Sequence, residues 1–389
     1  MGPPLRLVVR TGEQPAVSRG RWVGLAAASL GAAAAAATAG VVVERRIVKN
    51  RRAGARQADE LGGLHRAPVT VMTEDGVRLH AEVDEVAPYA QEAAKSQPPK
   101  GLRRLRRADE PVPTIVFVHG YALNLDCWHF QREFFRGKQR MVFYDQRSHG
   151  RSDRSSQENA TIDQLGHDLV RVLEELVPDG PVVLVGHSMG GMTLMAFAEH
   201  HPDVFDERVV GVALISTTAG GLKTHRAVSR LIPDVVGGQV GPRLIASLAR
   251  APELVDRVRR RGSNIGFLVA DQFAFGDDVP AAYVEFVDNM LASTPFEVLA
   301  QFFPNFDSLD KFEALHEFAK VPTTIITGTK DVLTSVGHSR KMASRITGSR
   351  LVECVGAGHM VILEQKDKVN EALSDLFERS SAARASRVS

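Results

Sequence analysis

Cysteine is nearly absent: Cys127 and Cys354 are the only two in 389 residues. That count excludes a disulfide framework, and no C-x-x-C or Cys/His spacing offers a structural zinc site. Both thiols read as small, partly buried apolar residues. Internal repeats are missing, and so is any glycine-rich phosphate loop after the first strands, which leaves a dinucleotide-binding or P-loop function without support. His200-His201 lacks the glutamate of an H-E-x-x-H metal motif. Any large excess of charge is also missing. Hydrophobic residues at 44% and charged residues at 24% are ordinary globular values, which excludes a disordered, collagen-like or multi-span membrane chain.

The net charge of +2 is a sum of unlike parts. Residues 1–56 hold ten basic residues against Glu13 and Glu44, a net of +8, while residues 57–389 carry a net of −6. The overall basicity therefore points to no nucleic-acid partner, because it belongs to the N-terminal segment. Within that segment Val23 to Val43 is a run of 21 uncharged, mostly alanine residues between basic flanks. As a helix it would span about 30 Å, the thickness of a bilayer core. Three readings compete: a single-pass anchor, a cleaved secretory signal with Ala37-Thr38-Ala39 as its small-x-small site, and an alanine-rich helix or extension. The anchor is the leading expectation. The more basic C-terminal flank would then keep residues 45 onward cytoplasmic and associated with the membrane; a secreted or soluble protein are the alternatives.

The body reads as an α/β fold. Val69–Thr73 and Val77–Asp84 flank Glu74-Asp75-Gly76 and look like an opening hairpin. Residues 87–113, with the basic patch Arg103 to Arg107, read as an exposed loop. Short apolar runs at Thr114–Val118, Arg140–Tyr144, Pro181–Val185, Val209–Ile215, Thr323–Thr327 and Leu351–Val355 fit strands buried on both faces of a parallel sheet. Helical patterns alternate with them at Ile162–Leu176, Met192–His200, Val336–Ile346 and Val361–Phe377. From Thr217 to Lys320 helical patterns continue without strands: His225–Leu231, Pro242–Ala249, Glu253–Arg261, Asn264–Phe273 and Ala281–Leu291. This stretch holds ten of the eighteen phenylalanines. It reads as a helical insertion over the end of the sheet, its phenylalanines lining a site or fastening the insertion to the body. The expected divisions are a basic segment 1–56, a core of 57–216 and 321–380, a cap 217–320, and a flexible tail 381–389.

The chemistry concentrates at Gly186-His187-Ser188-Met189-Gly190-Gly191. A buried strand running through G-x-S-x-G into a helix exposes the central serine on a sharp turn, so Ser188 is the candidate nucleophile. A serine needs a base held by a third group. His359 in Gly356-Ala357-Gly358-His359 follows an apolar strand and has glycines that permit close backbone approach. Asp331 lies just past the strand Thr323–Thr327 and completes the chain order Ser…Asp…His. Asp307 and Asp310 are rival acids. His187 reads as a packing or supporting residue, and Gly337-His338-Ser339 as the start of a helix. Oxyanion donors are expected from the backbone N–H of Tyr121, after the His119-Gly120 loop, and of Met189, with little weight on the Tyr121 side chain.

From about residue 69 to 378 the chain resembles the α/β-hydrolase superfamily. The resemblance rests on the motifs above and on Asp145-Gln146-Arg147-Ser148-His149-Gly150-Arg151-Ser152, similar to the family's D-x-R-G-x-G-x-S, with Ser148 where glycine is usual. It implies an eight-stranded, mostly parallel sheet with one antiparallel strand, helices on both faces and a helical cap after strand six. Asp145 and Arg147 would be structural. The implied activity is that of a serine esterase or lipase cleaving small-molecule carboxylic esters through an acyl-enzyme, with no cofactor or metal, and the phenylalanine-rich insertion and the anchor both favour a lipophilic acyl group. Thioester, lactone or C–C bond hydrolysis on the same residues is the alternative, as is a non-catalytic binding protein of the same fold. Nothing in the sequence sets the oligomeric state.

Overall fold

The computed structural model describes residues 61–88, 112–222 and 273–388, with side chains in the last helix to residue 383. Eight strands form one sheet in the order β1-β2-β4-β3-β5-β6-β7-β8. They are β1 Pro68–Met72, β2 Arg78–Asp84, β3 Thr114–Val118, β4 Met141–Tyr144, β5 Val182–His187, β6 Val209–Ile215, β7 Thr323–Gly328 and β8 Arg350–Cys354. β2 runs antiparallel to both of its neighbours, and all other pairs are parallel. The opening hairpin turns at Gly76, whose φ of +83° favours glycine.

Every residue of β3, β4, β5 and β7 is buried, as strands covered on both faces require. Alternation puts Val116, Val142, Leu184 and Leu214 on one face, in a core with Leu169, Val172, Leu194 and Phe197 from helices Ile162–Leu176 and Met189–His200. On the other face Phe117 stacks on Phe143 at 4.8 Å and meets Trp128 at 5.0 Å. The final helix, Lys366–Val388, crosses that face at Gly211, where an added Cβ would lie 2.0 Å from Ser380 Oγ.

Between β6 and β7 the described residues form four helices: Ala281–Ser293, Phe296–Phe302, Pro304–Ser308 and Leu315–Phe318. Phe302, Phe306, Val298 and Leu309 pack with Met189, Met192, Ile162 and Leu165 of the body, so at least these phenylalanines fasten the insertion down. Its base is closed by Lys311 N–H donating to Ala219 C=O at 2.7 Å and by Lys311 Nζ reaching Asp163 and Glu199.

Several boundaries differ from the sequence expectation. The helix after β5 starts at Met189 rather than Met192, because Gly190 and Gly191 are helical despite their poor propensity. The pattern at 361–377 divides into a short helix Val361–Glu364 and the long one from Lys366. That helix continues to Val388, where a flexible tail was expected; residues 381–388 contain no Gly or Pro to stop it. Among the described residues no helix is long and apolar enough to cross a membrane. The Val23 to Val43 run, the Arg103 to Arg107 patch and the helical patterns from His225 to Gln272 lie outside the described residues.

Candidate active site

β5 ends at His187 and the next helix begins at Met189, so Ser188 alone makes the turn, at φ +53° and ψ −119°. A non-glycine residue held there stores about 1–3 kcal/mol of strain. The surroundings over-determine it. Ser188 N–H donates to Ile215 C=O at 2.9 Å, and Ser188 C=O accepts from Thr217 Oγ1 at 2.7 Å and Gly191 N–H at 2.9 Å. The flanking glycines are steric necessities. A Cβ on Gly186 would stand 2.7 Å from the Gly190 carbonyl, and one on Gly190 would stand 2.1 Å from Val118 O.

The loops after β7 and β8 bring two more side chains to this turn. Ser188 Oγ lies 2.9 Å from His359 Nε2, and His359 Nδ1 lies 2.9 Å from Asp331 Oδ2. The three side chains are at most 9% exposed. Asp331 also accepts from Leu333 N–H and Thr334 N–H, both at 2.9 Å, and from Thr334 Oγ1 at 2.8 Å. Burial pushes its carboxyl up, but His359 and the Thr334 bonds outweigh that and hold it below the ordinary carboxylate value. An ionised Asp331 orients His359 with its proton on Nδ1, leaving Nε2 to accept from Ser188 Oγ–H. Neither Asp307 nor Asp310 is bonded to His359; Asp310 instead accepts from Phe312 N–H.

His187 has a defined task beyond packing. Burial lowers its pKa to about 3, so the ring is neutral and its Nε2–H donates to His359 C=O at 3.0 Å. Thr334 escaped the sequence reading, although Asp331-x-x-Thr334 is the spacing of a side chain that caps its own turn.

On the other side of Ser188 runs His119-Gly120-Tyr121-Ala122. A Cβ on Gly120 would come within 3.0 Å of Ser188 Cβ, so this loop lies directly beside Ser188. His119, driven to a pKa of about 3 by burial, is neutral. Its Nδ1–H donates to Gly120 C=O at 2.8 Å and its Nε2 accepts from Gln146 N–H at 2.9 Å. Gln146 returns a bond to His119 C=O at 2.7 Å and accepts from Thr193 Oγ1 at 2.7 Å. The Tyr121 side chain matters more than expected. Its hydroxyl donates to Leu299 C=O at 2.6 Å and its ring meets Phe306 edge-on at 5.0 Å. Thr294 Oγ1 donates to Ala122 C=O at 3.1 Å, a second tie between this loop and the insertion.

Asp145 and Arg147 brace the neighbouring turn. Asp145 accepts from Leu125 N–H at 2.7 Å and Arg151 N–H at 2.8 Å, and burial raises its carboxyl to about 6. Arg147 is fully buried between Asp168 and Asp75. Ser148 adopts φ +65° and its Oγ accepts from Ser155 N–H at 2.8 Å, so serine keeps a glycine-like turn. Among the described residues one group has metal-ligand spacing, Asp163, Glu199 and His200, and Lys311 Nζ bonds both carboxylates.

A family model described as alpha/beta hydrolase fold matches residues 113–366. The chain is 27% identical to 3-oxoadipate enol-lactonase 2 of Acinetobacter baylyi, over 69% of this chain and 89% of that one. It is 24% identical to a monoacylglycerol lipase of Homo sapiens, over 68% of this chain and 75% of that one. A thermophilic esterase from Thermogutta terrifontis is similar in fold, with a TM-score of 0.57 at 21% identity, covering 81% of this chain and all of that one. The enol-lactonase of Burkholderia xenovorans superposes with a TM-score of 0.54 at 22% identity, over 80% of this chain and all of that one.

Proposed function

The chain belongs to the alpha/beta hydrolase family, and from that premise we propose that it cleaves carboxylic esters with lipophilic acyl groups through an acyl-enzyme on Ser188. The observation that carries this reading is the unbroken hydrogen-bonded chain from Ser188 Oγ through His359 to Asp331. Ser188 Oγ attacks the acyl carbonyl while its proton passes to His359 Nε2. The carbonyl electron pair moves onto oxygen, where the backbone N–H groups of Tyr121 and Met189 receive it. Met189 opens its helix, so its N–H has no acceptor within that helix and sits at the positive dipole end. Each such donor is worth about 3–4 kcal/mol in the transition state. Collapse expels the alkoxide, which takes the proton from His359. A water, deprotonated in turn by His359, attacks the acyl carbon, and the acid leaves as the bond to Ser188 Oγ breaks and His359 returns the proton to that oxygen. Asp331 holds the imidazole and stabilises its charged form throughout.

An apolar acyl group is supported by Tyr121, partly buried on the loop beside Ser188 and packed against the apolar cluster that fastens the insertion down. A panel of p-nitrophenyl esters tests this. The expected kcat/KM rises by about tenfold or more from acetate to octanoate, in line with about 1–3 kcal/mol for a well-packed methylene. A preference for acetate would overturn the lipophilic assignment. The similarity to an enol-lactonase over 89% of its length favours lactone hydrolysis as the second reading. Turnover of a γ-lactone without turnover of any ester in the panel would select it.

A further inference from the structure

We infer that Glu364 is a positioning residue for His359: its carboxylate fastens the backbone of the base-bearing loop to the returning limb of the cap, so that the imidazole is held ready for proton transfer. This inference rests on the reading of His359 as the base. Glu364 closes the short helix Val361–Glu364 and turns back onto the loop from which that helix emerges. One oxygen accepts from Gly358 N–H at 2.8 Å, immediately before His359, and the other from Gly276 N–H at 2.9 Å. Gly276 belongs to the cap limb that leads into helix Ala281–Ser293. At the same junction Met360 N–H donates to Ala274 C=O at 2.8 Å. The two backbones touch. A Cβ on Gly276 would lie 2.2 Å from Gly356 O, and one on Gly358 would lie 2.5 Å from Gly276 N. His359 is thus flanked by two ties to the cap, one through Glu364 and one through Met360, while the carbonyl of His359 itself is held by His187.

The clamp needs the ionised carboxylate, because a protonated acid would turn its hydrogen toward one of the two N–H donors and lose that bond. Burial raises Glu364 to about 7, with Asp331 and Asp277 adding to the rise and the two glycine N–H groups opposing it. The charged or titratable groups around it are Asp331 and His359 of the active site, Asp277 with its partner Lys330, Cys354 at the end of β8, and Lys368 of the last helix. The sign separates function from stability. The folded state binds this proton more readily than the unfolded chain does, so the contribution of Glu364 to stability declines as pH rises through about 7. Activity runs the other way, because the clamp holds only once Glu364 has lost its proton.

The experiment measures ester hydrolysis from pH 5 to 9 by wild type, Glu364→Gln and Glu364→Asp, with active sites counted by fluorophosphonate titration and melting temperatures recorded. In wild type kcat falls on the acid side of about pH 7 as Glu364 takes up its proton. Glu364→Gln, whose amide cannot accept on both arms, lowers kcat per active site by about 10- to 100-fold, with KM changed by less than about threefold and melting temperature unchanged or raised at pH 8. The fall that tracks Glu364 near pH 7 is lost in this variant, and Glu364→Asp, which reaches one N–H, is intermediate. Wild-type kcat per site in Glu364→Gln overturns the inference. So does a loss of activity that follows the number of folded sites, or an unchanged acid limb. A wild type that fails to titrate at Ser188 instead overturns the hydrolase reading, and the inference with it.

Discussion

Arg147 shows what single residues contribute here. Its guanidinium is fully buried, with Asp168 at 2.6 Å and Asp75 at 2.8 Å, and a buried charge is tolerable only with its partners in place. Asp168→Asn leaves it with the half-exposed Asp75 alone and is expected to destabilise the fold by about 3 kcal/mol. Urea denaturation checks this; a loss under about 1 kcal/mol would show the pair to be dispensable. At this scale Ser188, Asp331 and His359 were legible in the sequence because each sits next to a strand end with glycines around it, in an order that one fold family uses. Gln146 and Glu364 were not, and Thr334 carried only the local spacing Asp331-x-x-Thr334. Glu364 bonds Gly276 across 88 residues and Gln146 bonds His119 across 27, and no local pattern marks a partner supplied by tertiary approach.

At the scale of elements, the decisive unit is β5, the Ser188 turn and the helix behind it. Helix propensity alone misplaces the start of that helix by three residues, because it penalises two glycines that the packing requires. Gly190 is the clearest case, as its missing Cβ is what lets β3 pass at Val118 O. Gly190→Ala must push β3, and with it the His119-Gly120 loop, away from Ser188. Loss of ester hydrolysis by about 100-fold or more is expected. Activity within twofold of wild type would contradict the steric argument. The strands themselves were legible to within one or two residues, the central ones because they are short apolar runs and the opening pair because it flanks a tight turn. The long C-terminal helix was cut short in the reading because its last turns carry no apolar period, and alanine and arginine propensity extends it without one.

At the scale of the whole molecule, the sheet supplies a rigid edge and the insertion between β6 and β7 is tied to both sides of the site. Tyr121 and Thr294 join it to the loop beside Ser188, and Glu364 and Met360 join it to the loop bearing His359. The topology was legible from strand–helix alternation and resemblance together, whereas these cross-ties depend on side chains meeting across the fold. The charge asymmetry between residues 1–56 and the body is a property of the sequence. The central claim is that Ser188 is an activated nucleophile. Treating the folded protein with a fluorophosphonate and mapping the adduct by peptide mass spectrometry tests it most directly. Stoichiometric modification of Ser188 is expected, absent after urea unfolding and absent in Ser188→Ala, with esterase activity lost in step. An unmodified Ser188 in the folded wild type, or equal labelling of Ser188→Ala, would contradict it.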